Sequence, residues 1–178
     1  MMTVNGSIKG GNFEREILKK LSYWITGDKN DIVLWRTAGS GARATQSLKS
    51  KNRQSYQVGD VGAISEKGIW FQSHFVVECK HYKDLELIPF LFKNKGILTG
   101  FWEKLVNESN IYSRFPLLIG KQNFIPPFII SEISFIGLEP FIHTPKVYIY
   151  WLDDFLNIEY EKFKLLLTSQ KLNIKEIV

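Results

Sequence analysis

Two carboxylates and a lysine stand at the ends of two neighbouring predicted strands. Glu78 and Lys80 close an apolar run, and Asp60 belongs to the stretch before it. Side chains two apart on a strand share a face, so Glu78 and Lys80 project to the same side. Adjacent carboxylates suit Mg²⁺, which takes a few oxygen ligands and keeps several waters. A neighbouring ammonium can orient or deprotonate a metal-bound water, or stabilise negative charge on a phosphate.

The elements that would position these residues are two strands in succession. Residues 71–80 predict a strand because they are rich in β-branched and aromatic residues, and residues 58–65 predict a shorter one before it. Residues 66–68 are turn-like, and a hairpin there would bring Asp60 close to Glu78. A Glu-x-Lys tripeptide alone is commonly a solvated ion pair. The place of this tripeptide at the end of an apolar run, with an Asp on the strand before it, favours a catalytic role over a solvated ion pair.

A third carboxylate lies on the first predicted helix. Residues 1–11 have the polar, Gly-rich composition of a flexible leader, and Gly11 or Asn12 can cap a helix that runs to about Trp24. At about 100° per residue its apolar side chains form a stripe about 140° wide, and Glu14 falls inside it. A buried carboxylate is costly unless a partner or a metal satisfies it. The alternative is a Glu at the stripe edge that reaches solvent from the first turn, where acids are favoured.

Length and composition indicate one folded domain over residues 1–178. No apolar run approaches the roughly 20 residues that span a bilayer, and no signal peptide is visible. The one cysteine, Cys79, excludes an internal disulfide and a thiolate zinc cluster, and we predict it to be a packed strand residue. A cytoplasmic protein that does not contact membranes is the expectation.

The net charge of +5 is concentrated in one segment. No acidic residue occurs between Asp31 and Asp60, and the rest of the chain is balanced. The basic residues of this segment are Arg36, Arg43, Lys49, Lys51 and Arg53. We expect them to bind a polyanion through its phosphates, with a merely solubilising loop as the alternative. Small residues at 37–42 allow close approach to a phosphate backbone, and we expect about 39–57 to be mobile until a ligand orders them.

The remaining elements complete a mixed α/β fold. An irregular connection is expected over residues 81–96, and helical spacing predicts a second amphipathic helix from Leu98 to about Asn110. Apolar runs predict strands over residues 115–120, 128–133 and 147–151, and helical periodicity returns from about Trp151. We therefore expect a mixed β-sheet flanked by helices.

These pieces together resemble the PD-(D/E)xK nuclease superfamily, and within it the archaeal Holliday junction resolvases and their phage relatives. The resemblance covers roughly residues 8–131 and leaves about 147–178 as a C-terminal helical extension. It rests on the motifs Gly11-Asn12-Phe13-Glu14-Arg15-Glu16, Gly39-Ser40-Gly41, Gly59-Asp60-Val61 and Glu78-Cys79-Lys80, and on a Phe-Pro-Leu-Leu strand that ends near Lys121. Each motif alone is weak, but their order is fairly specific for the superfamily.

The resemblance implies a restriction-endonuclease-like fold and a role for each matching residue. Asp60 and Glu78 would bind Mg²⁺, or Mn²⁺ as a substitute, with the backbone carbonyl of Cys79. Lys80 would act on the attacking water, and Glu14 would complete the metal site through its water shell. Ser40 matches a serine that assists junction cleavage in the resolvases. Gly59 stands where the family usually has proline.

The expected function is a Mg²⁺-dependent endonuclease that cuts DNA, most like a Holliday junction resolvase that acts as a homodimer. Two-fold symmetry suits the cutting of two opposed strands of a four-way junction. One alternative is a restriction- or repair-type nuclease that cuts duplex or flapped DNA. Another, of a different class, is a catalytically silent DNA-binding module. A phage-encoded chain of this kind would act in the host cytoplasm.

Overall fold

A computed structural model describes residues 6–37 and 58–175 of the chain, with side chains over 9–37 and 58–170. Six helices and seven strands lie in these ranges. In chain order they are α1 (Gly6–Thr26), β1 (Leu34–Arg36), β2 (Val61–Ala63), α2 (Glu66–His74), β3 (Phe75–His81), α3 (Leu87–Lys93), α4 (Ile97–Tyr112), β4 (Phe115–Gln122), β5 (Ile125–Ser131), β6 (Ile142–His143), β7 (Tyr148–Trp151), α5 (Leu152–Leu156) and α6 (Tyr160–Lys175). None of these helices combines the length and the apolar character needed to cross a membrane.

The central sheet is mixed, as the sequence predicted. Its strand order is β3-β4-β5-β7-β6, with β3 and β4 parallel and the other pairs antiparallel. The crossover between the two parallel strands contains α3 and α4, because parallel neighbours need a long connection. Strand β3 is the first in this order and is an edge strand. Its edge that does not pair with β4 is open to other elements.

Helices cover both faces of the sheet. On one face α1, α2 and α6 bury an aromatic cluster that includes Trp24, Phe75 and Phe163. On the other face α3 and α4 bury a second cluster around Trp102 and Phe128. Val77 and Cys79 of β3 belong to the first cluster, whereas Val76 belongs to the second. The alternation directs Glu78 and Lys80 to the side of α4, as two-residue periodicity predicts.

The segment between Asp60 and Glu78 differs from the sequence-based expectation. Residues 66–68 do not form a turn but begin α2, and the strand predicted from Phe71 begins only at Phe75. Tertiary packing overrides β propensity here. Gly68 and Phe71 are buried at helical spacing, and a Cβ at Gly68 would meet the carbonyl oxygen of Val33 at 2.6 Å. The predicted hairpin is also wrong, because β2 pairs antiparallel with β1 and not with β3.

Three further boundaries differ. Helix α1 begins at Gly6, so the end of the expected leader is helical. The connection at 81–96 contains α3, whose first turn accommodates Pro89 because that turn needs no amide donors there. The C-terminal part is not peripheral to the sheet, since β7 pairs with β5 and the side chain of Phe163 packs on Phe75. The second predicted amphipathic helix and the strand over residues 115–120 are confirmed by α4 and β4.

Candidate active site

Asp60 is fixed against the open edge of β3 by backbone contacts. Its amide donates to the carbonyl of Val77 at 2.8 Å, and its carboxylate Oδ2 accepts from the amide of Cys79 at 2.9 Å. Its own carbonyl accepts from the amide of Thr37, at the end of β1, at 3.2 Å. The residue is 1% exposed. The hairpin is absent, yet Asp60 reaches the strand that carries Glu78, because residues 59–60 themselves lie along the edge of β3.

Glu78 and Lys80 form an ion pair on the face of β3 that α4 covers. Their side chains are 14% and 19% exposed. The Lys80 Nζ also lies 5.2 Å from the centroid of the Phe101 ring on α4, which is a cation–π contact. The predicted shared face of Glu78 and Lys80 is therefore confirmed. Cys79 points the other way and is buried in the core with its pKa well above the usual range, chiefly because of burial.

Glu14 lies on the buried stripe of α1, as the helical projection predicts. It is 9% exposed and forms an ion pair with the guanidinium of Arg36 on β1. Arg36 was predicted as a DNA-binding residue of the basic segment, and the structure places it in the site beside Glu14. The alternative of a Glu that reaches solvent from the stripe edge is not what the structure has.

Electrostatic interactions connect these groups. Burial raises the pKa of Glu14, and the nearby charge of Asp60 raises it further against the opposing effects of Arg36 and Lys80. Burial and Asp60 likewise raise the pKa of Glu78, against the effect of Lys80. Burial acts to lower the pKa of Lys80, but Glu78 and Asp60 outweigh it and the pKa is raised. Glu14, Asp60, Glu78 and Lys80 thus form one coupled group, with more negative than positive charge.

Sequence reasoning missed a residue on α4. Glu108 is half-buried, and burial, with the charge of Asp60, raises its pKa against the opposing effects of Lys104 and the backbone amide of Gly59. The positive charge of Lys104, one turn earlier on α4, acts to lower the pKa of both Glu78 and Glu108. Phe101, Lys104 and Glu108 are spaced i, i+3, i+7, so they form one stripe of α4 that faces the site. Lys104 and Glu108 interrupt the apolar periodicity that predicted α4. This interruption was visible in the sequence and could have identified the polar stripe.

A cleft of about 500 Å³ opens beside Glu14 and Lys80. Basic side chains outnumber acidic ones along it. It is lined by Lys9, Gly10, Gly11, Glu14, Arg36, Cys79, Lys80, His81, Tyr82 and Lys83. No sequence pattern predicts that Lys9 and Lys83 lie near Glu14 and Lys80, because the two lysines lie on α1 and in the turn after β3. The cleft is large enough for a polyanion to approach Lys80 from solvent.

The predicted residues Ser40, Arg43, Lys49, Lys51 and Arg53 lie outside the described residues, as does the segment at about 39–57 that contains them. The three histidines show no metal-binding arrangement in the described ranges. His74 stacks on Trp70, and the ring centroid of His81 lies 5.3 Å from that of Phe13.

The oxygen atoms around Asp60 can accept a hard cation. The second carboxylate oxygen, Oδ1, is buried and has no hydrogen-bond partner among the described residues, which is costly for an anionic group. The amide of Cys79 points to Asp60, and its carbonyl lies on the same edge of β3, because the two groups of one strand residue share an edge. No group of three or more His, Cys, Asp or Glu residues within 6–37 and 58–175 has metal-binding geometry. Two carboxylates, a carbonyl and water are nevertheless a sufficient set for Mg²⁺.

A mixed sheet flanked by helices, with an Asp at the open edge and Glu-x-Lys on the edge strand, defines a nuclease of the PD-(D/E)xK type. The comparison with protein families agrees. Residues 5–165 match the family model described as "Phage putative PDDEXK endonuclease". The chain belongs to this family. The match extends past residue 131, where the resemblance seen in the motifs ended, and includes β7 and α5. Comparison with curated proteins and with solved structures gave no match.

Proposed function

We propose that this endonuclease hydrolyses DNA phosphodiester bonds with a divalent cation, Mg²⁺ or Mn²⁺ in its place, held by Asp60 and Glu78. The observation that supports this most strongly is the buried Asp60 Oδ1, which lacks a hydrogen-bond donor in the described structure beside a second carboxylate. The Cys79 carbonyl is a further candidate ligand. Glu14 is buried and coupled to Asp60, which suits a role through the water shell of the cation.

A divalent cation bound here supplies Lewis-acid stabilisation of the phosphate and a more acidic water. The contribution of Lys80 is its positive charge, held near Glu78 by their ion pair and over Phe101. From that position its ammonium can donate a hydrogen bond to the attacking water, or stabilise the charge that builds on the phosphate. Arg36 neutralises Glu14, which keeps the first helix against the site despite the buried charge.

We further propose that the substrate is branched DNA, in the first place a four-way junction, and that the protein acts as a homodimer. The support is the resemblance of the motif set to Holliday junction resolvases, in which Ser40 would assist cleavage. A restriction- or repair-type nuclease that cuts duplex or flapped DNA uses the same catalytic residues and is the alternative. A silent DNA-binding module is disfavoured because it has no need of Asp60, Glu78 and Lys80 together. A cytoplasmic location stays a prediction.

The test compares DNA structures under one set of conditions. A labelled four-way junction, a flapped duplex and a linear duplex of the same sequence are incubated with the protein in Mg²⁺, in Mn²⁺ and in EDTA. Metal-dependent cleavage of any of them supports the nuclease. Symmetric paired cuts in the junction, at concentrations where the linear duplex stays intact, support resolution by a homodimer. Equal cleavage of the linear duplex contradicts junction specificity, and the absence of cleavage of all three contradicts the proposed activity.

A further inference from the structure

A second group of basic side chains lies in and beside the cleft, and is here called the outer basic surface. It is defined by Lys9 and Lys83, which line the cleft, and by Lys121, which lies beside it. Lys9 projects from the first turns of α1, Lys121 from the end of β4, and Lys83 follows β3. The backbone amide of Tyr82 donates to the carbonyl of Lys121 at 3.1 Å, so the backbone that follows β3 is hydrogen-bonded to the end of β4. None of these three lysines is in an ion pair within the described part of the chain.

One of these charges lies over an aromatic ring. The Nζ of Lys121 lies 5.8 Å from the centroid of the Phe13 ring, and the His81 ring packs on the same Phe13. His81 also lines the cleft, so the charge of Lys121 lies at the margin of the cleft. A concentration of unpaired cations of this kind attracts polyanions.

The backbone next to this surface is partly accessible at Gly10. Gly10 and Gly11 line the same cleft. A Cβ at Gly10 would meet nothing within 4 Å, and one at Gly11 would meet only arginine side chains, the nearest atom being on Arg36 at 3.5 Å. Gly10 is not required by packing, and it leaves room for a phosphate backbone to lie close to α1 beside Lys9, whereas Gly11 is buried next to Arg36.

We propose that the outer basic surface binds the phosphates that flank the scissile one, so that the DNA strand runs along the cleft past Lys80. This inference rests on the proposed function and adds the path of the DNA. A nucleic acid fits better than an acidic protein, because the surface is continuous with the catalytic residues of a nuclease and adjoins backbone that is partly accessible at Gly10. Lys9, Lys83 and Lys121 contact phosphates only, so they add affinity without base specificity.

The experiment measures the salt dependence of DNA binding in EDTA, where cleavage does not interfere. The triple variant Lys9→Ala, Lys83→Ala, Lys121→Ala is compared with the wild type on linear duplex and on a junction. Three lost phosphate contacts should flatten the slope of log affinity against log salt by about 2.7. The matched control is Lys29→Ala with Lys162→Ala. Lys29 follows the opposite end of α1, about 30 Å from its start, and Lys162 adjoins Phe163, which packs against Trp24 near that end.

A flattened slope in the triple variant with an unchanged slope in the control supports the surface. An unchanged slope in the triple variant, or an equal loss in the control, overturns it. Cleavage by the wild type in Mg²⁺ is measured in parallel. If the wild type cleaves but the slope is unchanged, only this inference fails; if it cleaves no DNA, the proposed function fails first.

Discussion

The backbone amide of Cys79 donates to Oδ2 of Asp60 at 2.9 Å, and this bond fixes one carboxylate of the site to the strand that carries the other. Glu78 is the residue before Cys79, so the two carboxylates share a rigid support although β2 and β3 do not pair. The hydrogen bond occupies Oδ2 and leaves Oδ1 without a donor in the described structure. Asp60 is thus held by one oxygen and available through the other.

The turn before Asp60 should tolerate no side chain. Gly59→Ala places a Cβ against the Val77 carbonyl in a left-handed conformation, which alone costs about 1–3 kcal/mol. Gly59→Pro should do at least as much damage, since proline fixes φ near −65°, although proline is the usual residue of the related motif. We expect a lower melting temperature and lost cleavage for both variants.

The control for this prediction is Gly100→Ala on α4, where a Cβ would meet nothing within 4 Å. Alanine in a helix interior should stabilise by about 0.5–1 kcal/mol. A Gly59→Pro variant with wild-type stability and cleavage would show that the turn is not the conformation used in solution.

Glu14→Gln should weaken metal-dependent cleavage without unfolding the protein. The substitution keeps a hydrogen-bonding group for Arg36 and removes a charge whose pKa is raised by burial and by Asp60. Groups that act through the water shell of a metal typically contribute 10- to 100-fold. Metal titrations of cleavage rate, with Glu16→Gln on the exposed side of α1 as control, would measure it. Identical titrations for wild type and Glu14→Gln would limit Glu14 to a structural ion pair.

The raised pKa of Glu78 predicts a specific pH dependence of stability. The folded protein binds this proton more tightly than the unfolded chain does, so stability falls as pH rises from the ordinary carboxyl value of 4.5 through the raised one. Relative to Glu78→Gln, the metal-free wild type should therefore lose stability over this interval as the pH rises. Denaturant unfolding in EDTA at a series of pH values measures the difference. A difference that is independent of pH, or that grows in favour of the wild type, contradicts the prediction.

Binding of a divalent metal should reverse the loss of stability that accompanies ionisation of Glu78. A cation that binds only the folded state at 100 times its Kd stabilises by about 2.7 kcal/mol. We expect Mg²⁺ or Mn²⁺ to raise the melting temperature of the wild type at neutral pH, and to have little effect on Asp60→Asn. Equal shifts in both proteins would place the cation elsewhere.

The placement of Glu14, Glu78 and Lys80 was predictable because it depends on local periodicity. Two-residue alternation placed Glu78 and Lys80 on one face, and the helical projection placed Glu14 on the buried stripe of α1. The residues with which these side chains interact could be identified only from the tertiary structure. Arg36 belongs to an apparently separate basic segment, yet it pairs with Glu14 because β1 lies beside α1. Glu108 lies close enough to Asp60 for the two charges to interact because the crossover places α4 over the edge strand.

The errors have a common physical origin. The aromatic residues at 70–75 favour a strand by propensity, but α2 buries Phe71 and Gly68 against its neighbours and the strand begins later. No local pattern reveals that β2 pairs with β1, because the intervening segment is long. Asp60 still reaches Glu78, by a different route from the predicted hairpin.

The basic segment remains the second candidate for DNA binding. Replacing Arg43, Lys49, Lys51 and Arg53 by Ala should weaken binding and flatten the log-affinity against log-salt slope by roughly 3 to 4, at about 0.9 per lost contact. A greater loss for the junction than for the duplex would show that the segment selects branched DNA, and equal losses would make it a general phosphate contact. An unchanged slope on both would mean that these residues do not hold the DNA.

The most direct test of the central claim is single-turnover cleavage by Glu78→Ala and Lys80→Ala on any DNA that the wild type cuts in Mg²⁺. Circular dichroism and DNA binding in EDTA establish that each variant is folded and binds its substrate, and the exposed Glu139→Ala serves as the matched control. We predict a loss of about a hundredfold or more for both site variants, wild-type cleavage for the control, and no cleavage by any protein in EDTA. Cleavage at the wild-type rate by either Glu78→Ala or Lys80→Ala would contradict the assignment of this site.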